Sequence, residues 1–200
     1  MSVATSKWFF DGVNVPPQAV KDEIARATSP LVRKFAEKVI AAAVGKPILD
    51  VACGSGRNAL FLAKSGCIVV CIDKDLSSFN ANLQLQRWFL TTSSKRLFSK
   101  EIDLVKDHWP FGPRSVGGII NIHFLLPQLF PFFASSLVPN GYLLLETVPG
   151  FGGNYLELPQ EGELKAALAY TFDLEVYKER PIGRSEHNAV TVKLLARRRG

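Results

Sequence analysis

Cysteine, histidine and long apolar runs are all scarce in this sequence. Of its 200 residues, three are cysteines and three are histidines. An odd cysteine count, with two cysteines on one apolar run, argues against a disulfide framework and favours a reducing cytosol. Cys67 and Cys71 have no second cysteine pair and no neighbouring histidine, so the sequence predicts no zinc site and no other bound metal.

The sequence predicts neither a membrane span nor a secretory signal peptide. The longest apolar region runs from Ile119 to Val138, but it is interrupted by Asn121, His123, Pro127, Gln128 and Pro131. It therefore predicts a buried strand followed by a helix, not a span. The apolar stretch 8–10 is too short for a signal core, and no small-residue cleavage site follows it. We expect a cytoplasmic protein with no membrane contact.

Size, composition and charge are those of a folded globular chain. Apolar residues make up 47% of the sequence and charged residues 21%, which is ordinary for a single domain of this length. We expect residues 1–45 to form an arm and helices that pack on the core, with the main domain at 46–200. The net charge of +6 allows a nucleic-acid partner. No aromatic residues are interleaved in the basic tail 197–199, which favours a solubilising surface.

Apolar runs alternate with helical patterns along most of the chain. Strands are predicted at about 47–52, 67–73, 96–102, 116–122 and 142–147, and helices at about 30–45, 58–65, 76–93, 127–137 and 162–170. Strands that alternate with helices favour a parallel sheet with right-handed crossovers. The last two runs, 173–180 and 188–197, alternate apolar and polar residues and predict a hairpin. The pattern alone indicates an α/β sheet that ends in a hairpin.

A short stretch at the end of the first strand organises the chain. The apolar run Ile48–Asp50 leads into Ala52–Gly56, here called the glycine loop, and then into a helix. Two glycines allow a sharp bend and a close approach of a ligand to the main chain, while the helix directs free N–H groups at that ligand. The stretch fits G-x-G-x-x-A, a weak signal by itself for a nucleotide cofactor.

Two acids flank the glycine loop. Asp50 precedes it, where a carboxylate would repel a pyrophosphate and attract a cationic ammonium and sulfonium. Asp73 ends the second apolar run, where an acid can accept hydrogen bonds from both ribose hydroxyls. Nicotinamide enzymes also have an acid at that second position, so Asp73 alone does not separate the cofactors. The structural alternative is that Asp50 caps a helix and Asp73 begins a turn.

The segment Leu49–Gly56 resembles the first motif of class I S-adenosylmethionine-dependent methyltransferases. Asp103-Leu104, Asn121–Leu125 and Pro139–Thr147 follow in the order that these enzymes show. Together they resemble the bacterial small-molecule methyltransferases of the tellurite-resistance and thiopurine type, over about residues 45–198. The resemblance implies a Rossmann-like, seven-stranded, mostly parallel sheet of order 3-2-1-4-5-7-6, with the last strand antiparallel and helices on both faces.

The same resemblance implies S-adenosylmethionine as cofactor, with S-adenosylhomocysteine as product. In this interpretation Asp50 and the glycine loop hold the methionine end, Asp73 holds the ribose, and Asp103 with Leu104 holds the adenine. The complete set of predicted cofactor contacts is Asp50, Ala52, Cys53, Gly54, Ser55, Gly56, Asn58, Asp73, Lys74, Asp103, Leu104 and Asn121.

Candidates for the methyl-acceptor side lie after the fourth and fifth predicted strands. His123, Asn121 and Tyr155 are the predicted catalytic residues, and Glu146 is a further candidate at the strand ends, where ligands of open α/β sheets bind. A soft anionic nucleophile needs no base, whereas an amine or a hydroxyl must lose a proton. The structural alternatives are a hydrogen-bonded core histidine, the end of a strand at Glu146 and an ordinary partly buried tyrosine.

Absent motifs narrow the acceptor class. The fourth strand does not end in Asn/Asp-Pro-Pro-aromatic, which disfavours methylation of exocyclic base amines. No cysteine follows the fourth or fifth strand, so a covalent cytosine mechanism lacks its nucleophile. The prediction is methyl transfer to a small molecule by a monomer or homodimer. The alternatives are an RNA or protein acceptor, an NAD-dependent oxidoreductase and a non-catalytic cofactor-binding scaffold.

Overall fold

The computed structural model describes residues 27–85, 96–147, 158–182 and 188–200. Within these ranges helices and strands alternate up to the final hairpin. The strands are β1 (Ile48–Val51), β2 (Val69–Asp73), β3 (Leu97–Glu101), β4 (Val116–Ile122), β5 (Leu137–Glu146), β6 (Phe172–Pro181) and β7 (Val190–Arg198). The helices are α1 (Pro30–Ala43), α2 (Arg57–Lys64), α3 (Ser77–Leu85), α4 (Phe130–Ser136) and α5 (Glu163–Leu168), with a 3-10 turn at Pro127–Leu129.

All seven strands form one sheet in the order β3-β2-β1-β4-β5-β7-β6, which confirms the predicted fold class. The strand β1 lies between β2 and β4 and is parallel to both. The strand β7 is antiparallel to both of its neighbours, β5 and β6. The carboxyl ends of β1, β2 and β4 therefore share one edge of the sheet, where ligands of such folds bind.

Each face of the sheet is covered by helices, so the central strands are buried on both sides. One face packs against α4 and α5, whose core residues include Phe130, Phe133, Leu164 and Leu168. The other face packs against α1, α2 and α3, which contribute residues such as Val39, Leu62 and Phe79. All of the residues in β1 and β4 are buried, which explains why both read as continuous apolar runs.

The predicted start of β5 is wrong. A turn was predicted at 138–141 with the strand beginning at 142, but β5 begins at Leu137. The pairing of β5 with β4 shifts from Val116–Leu137 to Gly118–Tyr142. Asn140 has a left-handed backbone, with φ of +64°. The predicted turn residues therefore form an irregularity inside the strand pairing, because β4 pairs with the chain on both sides of them.

Candidate functional site

The glycine loop connects β1 to α2 through a series of left-handed residues. Ala52, Gly54 and Gly56 have φ values of +53°, +53° and +72°. The Gly56 N–H donates to the Cys53 carbonyl at 2.9 Å, and the Cys53 N–H donates to the carbonyl of Ile72 on β2 at 3.1 Å. These bonds hold the loop close to the end of β2 and present its backbone at the sheet edge.

A cleft of about 600 Å³ opens above the loop, at the carboxyl ends of β1, β2 and β4. It brings together ten of the predicted site residues, which are Ala52, Cys53, Gly54, Ser55, Asn58, Asp73, Lys74, Asp103, Leu104 and His123. Its other lining residues are Arg57, Ile102, Val105, Lys106, Ile122 and Phe124. Residues separated by more than 60 positions in sequence thus share one concave surface, as ligand sites require.

Asp73 occupies the centre of the predicted cofactor side. Its Oδ2 accepts a hydrogen bond from the Gly54 N–H at 2.8 Å. Its Oδ1 accepts from the Asp75 N–H at 3.2 Å. The carboxylate lines the cleft while it holds the glycine loop against β2. It is placed to accept further hydrogen bonds, because an ionised carboxylate has about four lone-pair sites.

Asp103 follows β3 on the same side of the cleft. Its Oδ1 accepts from the Val105 N–H at 3.0 Å, and the Lys106 ammonium lies 3.2 Å from Oδ2. The Val105 N–H, and to a smaller extent Lys106, lower the pKa of the Asp103 carboxyl below its ordinary value. This group therefore carries a negative charge at neutral pH and can accept hydrogen bonds from a ligand.

Asp50, a predicted cofactor contact, is not among the residues that line the cleft. Its side chain is buried beneath the glycine loop, with a residue exposure of 1%. Its Oδ2 accepts from the Ala59 N–H at 3.1 Å, so the carboxyl caps the first turn of α2. Burial raises the pKa of Asp50 to about 7, although the Ala59 hydrogen bond acts in the opposite direction. Asp50 is thus placed to support the loop from below.

Gly56 and Asn121 also lie outside the cleft lining. Gly56 is the N-cap of α2. Asn121 is fully buried within β4, where its neighbours on β1 and β5 are Val51 and Leu145. Neither its amide nitrogen nor its amide oxygen has a hydrogen-bond partner among the described residues. The roles predicted for these two residues stay predictions.

His123 directly follows β4 and projects into the cleft region. Its φ of +66° is uncommon for a residue with a side chain. The backbone is fixed there because the His123 N–H donates to the Glu146 carbonyl at 2.7 Å. Its Nδ1 lies 3.2 Å from Nη2 of Arg57. Burial is the main cause that lowers the pKa of His123. Arg57 and Lys193 lower this pKa further, whereas Glu146 raises it.

Glu146, whose carbonyl accepts from the His123 N–H, is almost completely buried, at 4% exposure. Its Oε2 accepts from the Ser29 hydroxyl at 2.8 Å, and its Oε1 is 2.5 Å from the Lys193 ammonium. Ser29 also donates its N–H to Oδ1 of Asn58 at 3.0 Å. A buried carboxylate of this kind requires paired charges and hydrogen bonds. The network ties the start of α1, the start of α2 and the end of β5 together beneath the cleft.

Sequence reasoning did not single out Arg57, Ser29 or Lys193 as site residues. Arg57 was visible inside the G-x-G-x-x-A pattern, directly after the glycine loop. Ser29 was visible as a helix cap before Pro30, and its hydroxyl does accept from the Leu31 N–H at 3.1 Å. No pattern signalled Lys193. Tyr155, the third predicted catalytic residue, lies outside the described residues, as do residues 1–26 of the predicted N-terminal arm and helices.

No group of three or more histidine, cysteine or acidic side chains in the described part of the chain is arranged to hold a metal ion. No described helix combines the length and apolar character needed to cross a membrane.

A family model described as "Tellurite resistance protein TehB" matches residues 21–103 of this chain. The match includes the glycine loop, Asp73 and Asp103, and it covers less than half of the sequence. The comparison with curated protein sequences gives no match.

Solved structures with this fold are numerous, and the following three have low sequence identity to this chain. TehB from Haemophilus influenzae has a TM-score of 0.61 and 16% identity, over 98% of this chain and 67% of that chain. A putative sarcosine dimethylglycine methyltransferase from Galdieria sulphuraria has a TM-score of 0.65 and 12% identity, over 91% and 86%. The [4+2]-cyclase SpnF has a TM-score of 0.63 and 16% identity, over 83% and 80%. The chain has the fold of class I S-adenosylmethionine-dependent methyltransferases, and its first half resembles TehB.

Proposed function

We propose that this protein is an S-adenosylmethionine-dependent methyltransferase that acts on a small molecule. The observation that carries the proposal is the convergence of Asp73, Asp103 and the glycine loop on one cleft. In the fold described above, that cleft lies at the sheet edge where ligands bind. The TehB family model matches this region, and the structural likeness to a putative sarcosine dimethylglycine methyltransferase supports the reaction class.

The residues present fit the parts of that cofactor. Asp73 is placed to accept hydrogen bonds from the ribose hydroxyls, and Asp103 with the adjacent Leu104 backbone would hold the adenine amino group and ring. Ile102, Leu104 and Phe124 give the cleft apolar walls that suit a flat aromatic base. The glycine loop would take the methionine end, with its backbone close to the ligand.

A nicotinamide cofactor is less well supported by the same geometry. The argument that Asp50 would repel a pyrophosphate does not apply, because that carboxyl lies below the loop and not in the cleft. The strand order is more informative, since dinucleotide-binding sheets run 3-2-1-4-5-6 with parallel strands. Here β7 is inserted antiparallel between β5 and β6. That arrangement favours the methyltransferase assignment over an oxidoreductase.

Bound S-adenosylmethionine supplies an electrophilic methyl group on a positively charged sulfur. The protein's part is to hold an acceptor in line with that methyl group and to exclude water, so positioning supplies most of the rate enhancement. His123 and Arg57 line the cleft but have no part in the cofactor contacts above, so they would face the acceptor. The name TehB suggests tellurium compounds as one acceptor class, and thiols are another soft nucleophile to test.

The basic tail gives little support to an RNA acceptor. The Nη2 of Arg197 lies 3.2 Å from Asp173 and the Nε of Arg199 lies 2.9 Å from it. Arg198 donates to the Ala134 carbonyl. These cations are therefore used within the fold and do not form a separate basic arm.

All three cysteines are free thiols, which supports a cytoplasmic location as part of the proposal.

The experiment is a transfer assay with S-adenosylmethionine labelled on the methyl group. The acceptor panel contains thiols, selenite and tellurite, with bulk RNA and protein extract as alternative acceptors. We expect S-adenosylhomocysteine to form with at least one small molecule, and Asp73→Ala to reduce the rate. Label that enters only RNA or protein would contradict the small-molecule acceptor. A protein that binds NAD and not S-adenosylhomocysteine would contradict the enzyme class.

A further inference from the structure

Arg57 and His123 form a direct contact on the wall of the cleft. They come from different elements: Arg57 is the first residue of α2, and His123 follows β4. The Nη2 of Arg57 lies 3.2 Å from Nδ1 of His123. Both side chains line the cleft. Neither residue has a part in the cofactor contacts assigned above.

The chemistry of the two groups fixes the direction of this hydrogen bond. A guanidinium has five N–H donors, has no acceptor and stays protonated in proteins. Nδ1 of His123 must therefore be the acceptor, so it carries no proton. A neutral imidazole with a bare Nδ1 has its one proton on Nε2. Nε2 makes no hydrogen bond to any other described residue, so its N–H is available to a ligand.

We propose that Arg57 is a positioning residue that holds His123 as a neutral hydrogen-bond donor, so that the methyl acceptor must arrive already deprotonated. This inference rests on the proposed function and specifies its acceptor. The acceptor class is a soft nucleophile with a free lone pair at the working pH, such as a thiolate. An amine or alcohol that needs a base to remove its proton is excluded.

The surroundings of His123 favour the same protonation state. Arg57 and Lys193 are cations that disfavour an imidazolium, while Glu146 is the one facing anion among the described residues. Glu146 is already paired with Lys193 and accepts from Ser29, so its negative charge is largely compensated. The left-handed backbone of His123 and its N–H bond to Glu146 fix the ring relative to Arg57.

The reaction step then needs no proton transfer. A lone pair of the acceptor forms the new bond to the methyl carbon, and the carbon–sulfur bond breaks with its electron pair returning to sulfur. The sulfonium loses its positive charge, and the acceptor loses one negative charge. The Nε2–H of His123 and the remaining Arg57 N–H groups would orient the anionic acceptor for this displacement.

The first test measures the His123 tautomer without any turnover. Long-range ¹H–¹⁵N correlation spectra of histidine-labelled protein show which ring nitrogen carries the proton, and His108→Gln and His187→Gln assign the other two histidines. We expect a protonated Nε2 and a bare Nδ1 in the wild type. Arg57→Met, which has no donor, should raise the His123 pKa and mix the tautomers, whereas Arg57→Lys should retain the wild-type pattern. A protonated Nδ1 in the wild type would overturn the proposal.

The second test uses a series of aryl thiols whose own pKa values differ, with selenite as a non-thiol probe. We expect the midpoint of the pH dependence of kcat/KM to move with the pKa of each thiol. His123→Gln, which keeps an N–H donor, should stay within about tenfold of the wild-type kcat, while His123→Leu should lose roughly tenfold more. One fixed midpoint for every thiol would identify His123 as a base and overturn the proposal.

The two tests separate this inference from the proposed function. If S-adenosylhomocysteine fails to bind, the proposed function is wrong whatever the tautomer of His123. Suppose instead that S-adenosylhomocysteine binds and His123 has the expected tautomer. If Arg57→Met then changes only the affinity for S-adenosylhomocysteine, Arg57 binds the cofactor and the positioning role is wrong.

Discussion

The glycine loop has two surfaces that differ in what surrounds them. On the cleft surface, Gly54 has open space around it and its N–H reaches Asp73. On the lower surface, Gly56 lies against the buried ring of Phe79, and Asp50 caps α2. The sequence motif contains both sets of residues without distinguishing them. The contrast shows that one short motif encodes the local fold and the ligand site with different residues.

The largest expected difference is between alanine substitutions at the two glycines. A Cβ at Gly56 would lie 2.5 Å from Cδ2 of Phe79, which is itself 2% exposed, whereas a Cβ at Gly54 has nothing within 4 Å. Both positions are left-handed, so both substitutions add backbone strain. Gly56→Ala adds overpacking and should cost about 3 kcal/mol or more in the free energy of unfolding. Gly54→Ala should cost about 1 kcal/mol.

Chemical denaturation of the two variants measures this difference directly. Equal losses of stability would show that the lower surface of the loop is not close-packed. Gly54→Ala should instead reduce binding of S-adenosylhomocysteine in the folded protein, because its methyl group would project into the ligand space.

The next prediction concerns Asp50, the buried acid. Its pKa is about 7 in the folded protein and near 3.8 without burial, so the folded state holds a proton that the unfolded state releases between these values. Stability from this group is therefore lost as pH rises toward 7, unlike that of an ordinary carboxylate. Asp50→Asn removes this dependence while it keeps an oxygen for the Ala59 N–H.

The measurement compares the free energies of unfolding of wild type and Asp50→Asn at about pH 5 and about pH 8. The variant should gain on the order of 2 kcal/mol relative to wild type at the higher pH. A constant difference between the two proteins would contradict a buried, proton-holding Asp50. Unchanged affinity for S-adenosylhomocysteine would agree with its place below the loop.

Substitution of Asp73, the acid on the cleft surface, should change ligand affinity, unlike substitution of Asp50. Asp73→Ala removes charge-assisted hydrogen bonds to the ribose and should weaken S-adenosylhomocysteine binding by at least about tenfold. Asp75→Ala is the matched control, because Asp75 caps α3 through the Ser77 N–H at 2.8 Å and does not line the cleft. The control should change stability by about 1 kcal/mol and leave affinity unchanged. Similar affinities in both variants would remove Asp73 from the cofactor site.

Much of the fold was predictable because its signals are local. Strands β1 and β2 were located to within two residues, since strands covered on both faces read as continuous apolar runs. The strand order needed the family resemblance, because pairing between β5 and β7 joins distant segments. The start of β5 was missed, because a Pro-Asn-Gly sequence is typical of a turn and only the pairing with β4 places those residues within the strand.

Site residues at the ends of strands could be predicted from the sequence, whereas the burial of a side chain beneath the loop could not. Asp73 ends β2, and Asp103 and His123 follow β3 and β4 of the same sheet, so their convergence follows from the topology. Asp50 precedes the loop by only two residues, and sequence cannot tell whether its side chain points above or below the loop. The Arg57–His123 contact joins residues 66 positions apart and depends on the left-handed backbone at His123.

The most direct test of the central claim is calorimetric titration of the wild-type protein with S-adenosylhomocysteine and, separately, with NAD. The cleft surface described above predicts saturable, one-site binding of S-adenosylhomocysteine and no measurable binding of NAD at the same concentration. Saturable binding of NAD without binding of S-adenosylhomocysteine would contradict the assignment of Asp73, Asp103 and the glycine loop to a methyl donor.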